Sequence, residues 1–192
     1  MAGLRGDAAI VGIAEFAPVR RPDRAWMGME AYAELGRQAL EDAGFAASEV
    51  DALMTAQVAE AGPLFMPGHL TEYLGIHSHF SEIVDLGGAT GAGAVLRAAV
   101  AIEAGMCETA LCIVHTLPRP HNPMGGGQRW GYNWGSPMTE FDYPFGAIGQ
   151  NYAYATIANR YAYEFGLTDA QRAKVAVDQR TNASVNPKAV FR

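Results

Sequence analysis

Apolar positions along this chain fall into two alternating textures. Short, dense runs at AAIVGIAEF (8–16), VDALMTAQ (50–57), EIVDLGG (82–88) and TALCIVHTL (109–117) predict strands. Between them the spacing stretches to three and four. Across 27–45, Met29, Tyr32, Leu35, Ala39 and Ala43 recur at helical intervals, while Glu30, Glu34, Arg37 and Glu41 fill the opposite side. Gly44 is placed to stop that helix. A second helix, over about 90–105, has almost no polar face: Val95, Leu96, Ala99, Val100 and Ile102 crowd it, which predicts burial between layers. Strands alternating with helices imply a largely parallel sheet covered on both faces, an α/β layered fold.

Beyond residue 118 the pattern breaks down. PRPHNPMGGGQRWGYNWGSPMTEFDYPFG (118–146) is rich in Gly, Pro and aromatic residues and carries no sustained period. A long excursion of this kind in a compact domain is usually functional or mobile. A helix is expected through 149–166, and Thr168 with Gln171 forms a capping box that opens another, to about 183. The sequence then ends at NPKAVFR with no closing strand, which is the expectation for part of a larger protein.

Composition narrows the class. The chain has 192 residues, 49% hydrophobic and 18% charged, with a net charge of −6. It has no basic run, so nucleic acid is not an expected partner. Nothing reaches membrane-spanning length and the N-terminal apolar run is too short for a signal peptide, which gives the expectation of a soluble cytoplasmic protein without a membrane partner. Cys107 and Cys112 lie in one apolar stretch and fit buried thiols better than a disulfide scaffold.

The segment with most chemical promise is VDLGGATGAGAVLRAA (84–99), where a strand turns sharply into the apolar helix. Helix N-terminal N–H groups point at whatever occupies such a turn. Three readings compete. Gly88, Gly91 and Gly93 suggest a nucleotide loop, but the strand is third in order, no acidic ribose partner follows at the right distance, and no Gly-Lys-Ser/Thr is present. Small residues could simply let the helix approach the sheet. Or the turn is an elbow of the kind that presents a nucleophile. Other polar residues are less specific. His77 and His79 have alternate spacing that suits a metal pair or a surface turn, and no carboxylate or cysteine joins them in a recognisable pattern. Lys174 and Lys188, the two lysines, lie in or beyond the last helix and read as solvated rather than as Schiff-base donors.

Several segments carry a resemblance. VGIAEF, AYAELGRQALEDAGFAASEVDAL, VDLGGATGAGAVLRAAVAIEAG and YPFGAIGQNYAYATIANRYAYEFGLTDAQRAKVAVDQRTNASVNPKAVF together resemble the N-terminal half of a thiolase-superfamily protein. The branch is the sterol-carrier-protein type, which includes proteins called lipid-transfer protein and acetyl-CoA acetyltransferase. The resemblance implies a layered α-β-α-β-α architecture built from two repeated five-stranded halves, with chemistry at the interface between them. It places a half-domain with the first four strands over 1–118, and a loop domain with flanking helices over 119–192. A second half would supply the histidine, the acid/base cysteine and most of the oxyanion hole.

One departure from the pattern changes the expected chemistry. The usual active-site form is Val-Asn-x-x-Cys-Ala/Ser-Gly, and the resemblance sets Gly88 where the acyl-accepting cysteine stands. Glycine has no thiolate, so only its backbone N–H can act there. Cys107, at the far end of the helix, and Cys112, in the next strand, do not substitute. Thiolase-like aldolases of steroid side-chain degradation are similar in lacking that cysteine, and they cleave β-hydroxyacyl-CoA by retro-aldol chemistry. The implied substrate is therefore a coenzyme A thioester, with no resident cofactor or metal. The implied assembly is a homodimer, or a heteromer with a small zinc-ribbon/OB-fold partner. Ala89, Tyr143, Phe145 and Gly146 fall at implied substrate-binding positions, with core packing an equal alternative for Phe145. Arg129 suits CoA phosphates or a solvated surface, and His115 a polar role at the exit of the fourth strand. A conventional acetyltransferase with its nucleophile elsewhere, and a non-catalytic subunit of a thiolase-like heteromer, remain the alternatives.

Overall fold

The computed structural model describes residues 6, 8–19, 28–56, 66–114, 137–147 and 150–191. They divide between two compact units, one within 1–17 and 23–118 and the other within 18–22 and 119–192.

The first unit is an α/β layer structure around a parallel sheet of three strands in the order β2-β1-β3: β1 Ala52–Thr55, β2 Phe80–Ile83 and β3 Ala110–Ile113. Every residue of the central strand is buried, which explains why ALMT reads as a continuous run rather than an alternation. Helix α1 (Gly28–Ala43) and the short α2 (Met66–Leu74) cover one face, where Tyr32, Leu35, Leu53, Leu70, Leu111 and Ile113 pack together. Helix α3 (Thr90–Glu103) covers the other, with Ala52, Met54, Val84, Ala94, Ala98, Ala101 and Cys107. Helix α1 follows its periodicity closely. Its apolar stripe faces the sheet, Arg37 bridges Glu34 and Glu41 on the outside, and Gly44 takes the left-handed φ of 75° that ends it.

Three expectations need correction. Residues 8–16 pair with no strand among the described residues. The segment lies instead on α1: a Cβ at Gly12 would sit 2.4 Å from the Ala39 carbonyl oxygen, and the Ile13 N–H donates to Asp42 Oδ2 at 2.9 Å. Residues 8–14 and β3 line a common groove of about 660 Å³. The strand expected at 82–88 ends earlier. Val84 N–H still donates to Thr55 O at 2.8 Å, but Gly87 then adopts φ 57° and turns the chain out of the sheet. Helix α3 is buried on one side only, since Val95, Leu96 and Val100 are 42%, 56% and 46% exposed. Helix α2 had no counterpart in the pattern reading.

In the second unit a π-helical turn (Met138–Asp142) runs into a 3-10 turn (Tyr143–Phe145) that Gly146 closes at φ 81°. Helices α4 (Gln150–Phe165) and α5 (Asp169–Val185) follow. The Thr168–Gln171 capping box is present in both directions: Gln171 N–H donates to Thr168 Oγ1, and Thr168 N–H donates to Gln171 Oε1.

Candidate functional site

The C-terminal ends of parallel strands are where open α/β sheets bind ligands. At that end of this sheet the chain leaves β2, makes the turn 85–90 and enters α3. Almost every amide of the turn is already bonded. Leu86 N–H donates to Thr90 Oγ1 at 3.0 Å and Gly87 N–H to Asp85 Oδ1 at 3.2 Å. Ala89 N–H reaches Leu86 O at 3.1 Å, and Thr90 N–H reaches Gly87 O. Gly88 is the exception: between Leu86 and Thr90, its N–H alone has no acceptor among the described residues. The residue is exposed, and α3 has no side-chain cap. An unspent N–H at the head of a helix is a donor for an incoming oxygen that carries negative charge.

The two readings of the small residues can now be separated. Gly93 is a packing glycine: a Cβ there would lie 2.4 Å from Leu86 Cδ1 and 3.3 Å from Val84 Cγ1. Gly88 is not. Its φ is not left-handed, and a Cβ would meet nothing within 4 Å. The fold does not require glycine at 88, so the missing side chain there is free to serve a ligand.

Neither thiol fills the gap. Cys107 is buried, and burial first, then the Asp51 carboxylate, raises its pKa. Cys112 lies within β3, its Sγ 3.6 Å from the Ala94 carbonyl oxygen. Burial, with Cys107 nearby, pushes its pKa up to about 11. Burial that raises a thiol's pKa works against the thiolate that a nucleophile needs. Lys174 is exposed and paired with Asp178 at 2.7 Å. His77 and His79 are exposed in the bend before β2, where His79 N–H donates to the Asp51 carbonyl oxygen. Among the described residues no group of three His, Cys, Asp or Glu gathers that could hold a metal ion.

The remaining sequence candidates fall elsewhere. Ala89 is exposed beside Gly88 on the turn. Tyr143, Phe145 and Gly146 lie in the second unit, where Tyr143 is half-buried and Phe145, at 82% exposure, is not a core residue. His115 and Arg129 lie outside the described residues. Pattern reading missed Thr90 and the Leu86–Gly93 contact. A threonine four residues after Leu86, in the first turn of a helix, is the one local sign of them. No described helix is long and apolar enough to cross a membrane.

No family model matches the chain. Individual proteins do. A steroid side-chain-cleaving aldolase of Thermomonospora curvata is 31% identical over 195 residues, covering 100% of this chain and 48% of the aldolase. A 17-hydroxy-3-oxo-4-pregnene-20-carboxyl-CoA lyase of Mycobacterium tuberculosis is 31% identical over 98% of this chain and 48% of the lyase. An acetyl-CoA acetyltransferase of Methanothermobacter thermautotrophicus is 26% identical over 96% of this chain and 47% of that protein. Among solved structures, a chain of an Ltp2-ChsH2(DUF35) aldolase superposes with a TM-score of 0.76 at 29% identity, over 95% of this chain and 45% of that one. The chain thus spans about half the length of the curated relatives it matches. In class it is a thiolase-like α/β half-domain with its accompanying second unit. More particularly, it is similar over at least 95% of its length to proteins named as a steroid side-chain-cleaving aldolase, a pregnene carboxyl-CoA lyase and an Ltp2-ChsH2(DUF35) aldolase.

Proposed function

We propose that this chain provides the thioester-holding half of a thiolase-like aldolase that cleaves a β-hydroxyacyl-CoA in steroid side-chain breakdown. The observation that carries the reading is the Gly88 amide. At Gly88, which the family resemblance sets at the thiolase cysteine position, this chain offers an unbonded N–H, no side chain and open space.

The chemistry follows from those features. A 17-hydroxy, 20-carboxyl-CoA steroid, the class named in one relative, carries its hydroxyl on the carbon β to the thioester carbonyl. Loss of the hydroxyl proton to a base lets the Cα–Cβ bond break. A ketone forms, and the electron pair passes through Cα onto the thioester oxygen as an enolate. Protonation of that enolate at Cα releases the shortened acyl-CoA. No acyl group is ever carried by the protein, so a nucleophile is not needed, whereas a donor to the enolate oxygen is. Gly88 N–H fills that role, reinforced by the positive end of α3. A Cβ at 88 would occupy space the substrate uses.

By the family resemblance, Ala89 is assigned to binding the thioester, Tyr143, Phe145 and Gly146 to binding the acyl chain, Arg129 to the CoA phosphates and His115 to a polar role. The substrate is a CoA thioester and the reaction calls on no resident cofactor. The assembly is a heteromer with a partner of the DUF35 kind named in the similar solved structure, or a homodimer. A conventional acetyltransferase using a thiol of this chain is disfavoured by where the two cysteines lie, Cys107 buried after α3 and Cys112 within β3.

The reading is tested by offering the full-length protein, with any partner that copurifies, matched β-hydroxyacyl-CoA and β-ketoacyl-CoA substrates. Cleavage of the hydroxy compound without added free CoA is expected. CoA-dependent thiolysis of the keto compound alone would refute it.

A further inference from the structure

The bonds that leave the Gly88 amide open converge on one side chain. Thr90 is buried at the first turn of α3. Its Oγ1 accepts the Leu86 N–H at 3.0 Å and donates to the Gly87 carbonyl oxygen at 2.7 Å. The Thr90 N–H donates to that same carbonyl, so Gly87 O receives two donors from one residue. The Leu86 amide is therefore held by the Thr90 hydroxyl, and the Gly87 carbonyl by the Thr90 hydroxyl and amide together, on the approach to Gly88.

A second contact acts at the same place by packing. The Leu86 side chain lies across Gly93, one turn further along α3, where no Cβ could stand without displacing it. Thr90 holds the main chain of Leu86, and Gly93 accommodates its side chain.

We propose that Thr90 is the positioning residue of this site. Its hydroxyl holds the 86–87 backbone so that the Gly88 N–H stays unbonded and aimed outward, with Gly93 supporting it through Leu86. The proposal rests on the reading that Gly88 N–H receives the thioester oxygen. Valine at 90 would match the shape of threonine but leave the part-buried Leu86 N–H without an acceptor. A part-buried donor left without its acceptor carries a cost, and the turn would rearrange to satisfy it, at the expense of the Gly88 geometry. Serine at 90 would keep the hydroxyl.

The experiment uses the full-length protein, reading steady-state kinetics on a β-hydroxyacyl-CoA and amide hydrogen exchange over 84–90. For Thr90→Val, kcat is expected to fall about tenfold or more, as for a misaligned oxyanion donor. KM should stay within about twofold, because the loss is confined to the transition state. Protection at the Leu86 amide should be lost. Thr90→Ser should restore both kcat and protection. Gly93→Ala, which displaces Leu86 while leaving the hydroxyl in place, should show the same kcat-only signature and serves as the test should Thr90→Val fail to fold. Loss of Leu86 protection with unchanged kcat would overturn the positioning role while leaving the functional reading intact. Retained protection in Thr90→Val would overturn it as well, since the hydroxyl would not be what holds the turn. A wild-type protein with normal Leu86 protection that cleaves no β-hydroxyacyl-CoA would instead overturn the functional reading on which the role depends.

Discussion

The two ends of the sheet are built on opposite terms. At the N-terminal end Asp51 spends its carboxylate, its N–H and its carbonyl on neighbouring strands. Asp51 accepts the Glu108 N–H at 2.9 Å and the Thr109 N–H at 2.8 Å through its carboxylate, while its own N–H donates to Thr109 O at 3.0 Å. The Asp51 carbonyl takes the His79 N–H, so one residue ties the starts of all three strands together. At the C-terminal end polar capacity is left over. Among the described residues Gly88 N–H has no acceptor, and the buried Thr55 Oγ1, at the end of β1, has no hydrogen-bond partner. Saturated hydrogen bonding is what stability requires. Unspent hydrogen bonding at the end where α/β sheets meet ligands is what binding requires. Changes at Asp51 should therefore be felt in stability, and changes at Gly88 in activity.

The largest effect is expected at Gly88. Gly88→Val should lower kcat/KM about 100-fold by intruding on the thioester, while unfolding free energy changes by less than about 0.5 kcal/mol because nothing stands near the new side chain. Gly88→Cys should be similarly stable and should not confer thiolysis, since a thiol without a matched base is a weak nucleophile. Parallel denaturant titration and turnover assays separate the two quantities. Asp51→Ala should show the reverse pattern, losing about 1–3 kcal/mol of stability with the intrinsic chemistry unchanged.

A pH series sharpens the same contrast. Burial alone would raise the Asp51 pKa, but the Thr109 and Glu108 amides, its own amide and the nearby His79 outweigh it, and the net shift is downward. A lowered folded pKa means that the stabilisation is complete above the unfolded-state value, near pH 4, and is lost as pH falls through the folded value below it. Melting temperature should therefore drop less steeply below about pH 4 in Asp51→Ala than in the wild type. The smallest effect belongs to Lys174, an exposed helical ion pair. Lys174→Ala should cost no more than about 0.5 kcal/mol and leave C–C cleavage unchanged, with no borohydride-trapped adduct in either protein.

How much of this the sequence disclosed depended on the range of the forces involved. Helix α1 was legible because its stripe, its exposed charges and Gly44 are all local and agree with one another. The Thr168–Gln171 box was legible for the same reason. The apolar run 8–16 misled because strand pairing depends on distant partners. There the Gly12 contact with α1 and the Asp42 carboxylate took the place of a ladder. Helix α2 escaped notice because it is short and opens on Pro67 and Gly68, which read as a loop. At the site, the resemblance pointed to Gly88. The distinction between Gly88 and Gly93 was invisible in a run of small residues, since it depends on where the Leu86 side chain comes to rest.

The central claim, that this turn stabilises an oxyanion and carries no acyl group, is tested most directly by intact mass during turnover. The full-length protein is quenched while cleaving a β-hydroxyacyl-CoA, and protein mass and products are read together. An unmodified protein, with ketone and shortened acyl-CoA in equal amounts, is the expected result. A protein heavier by one acyl group, with the adduct mapped to Cys107 or Cys112, would contradict the account.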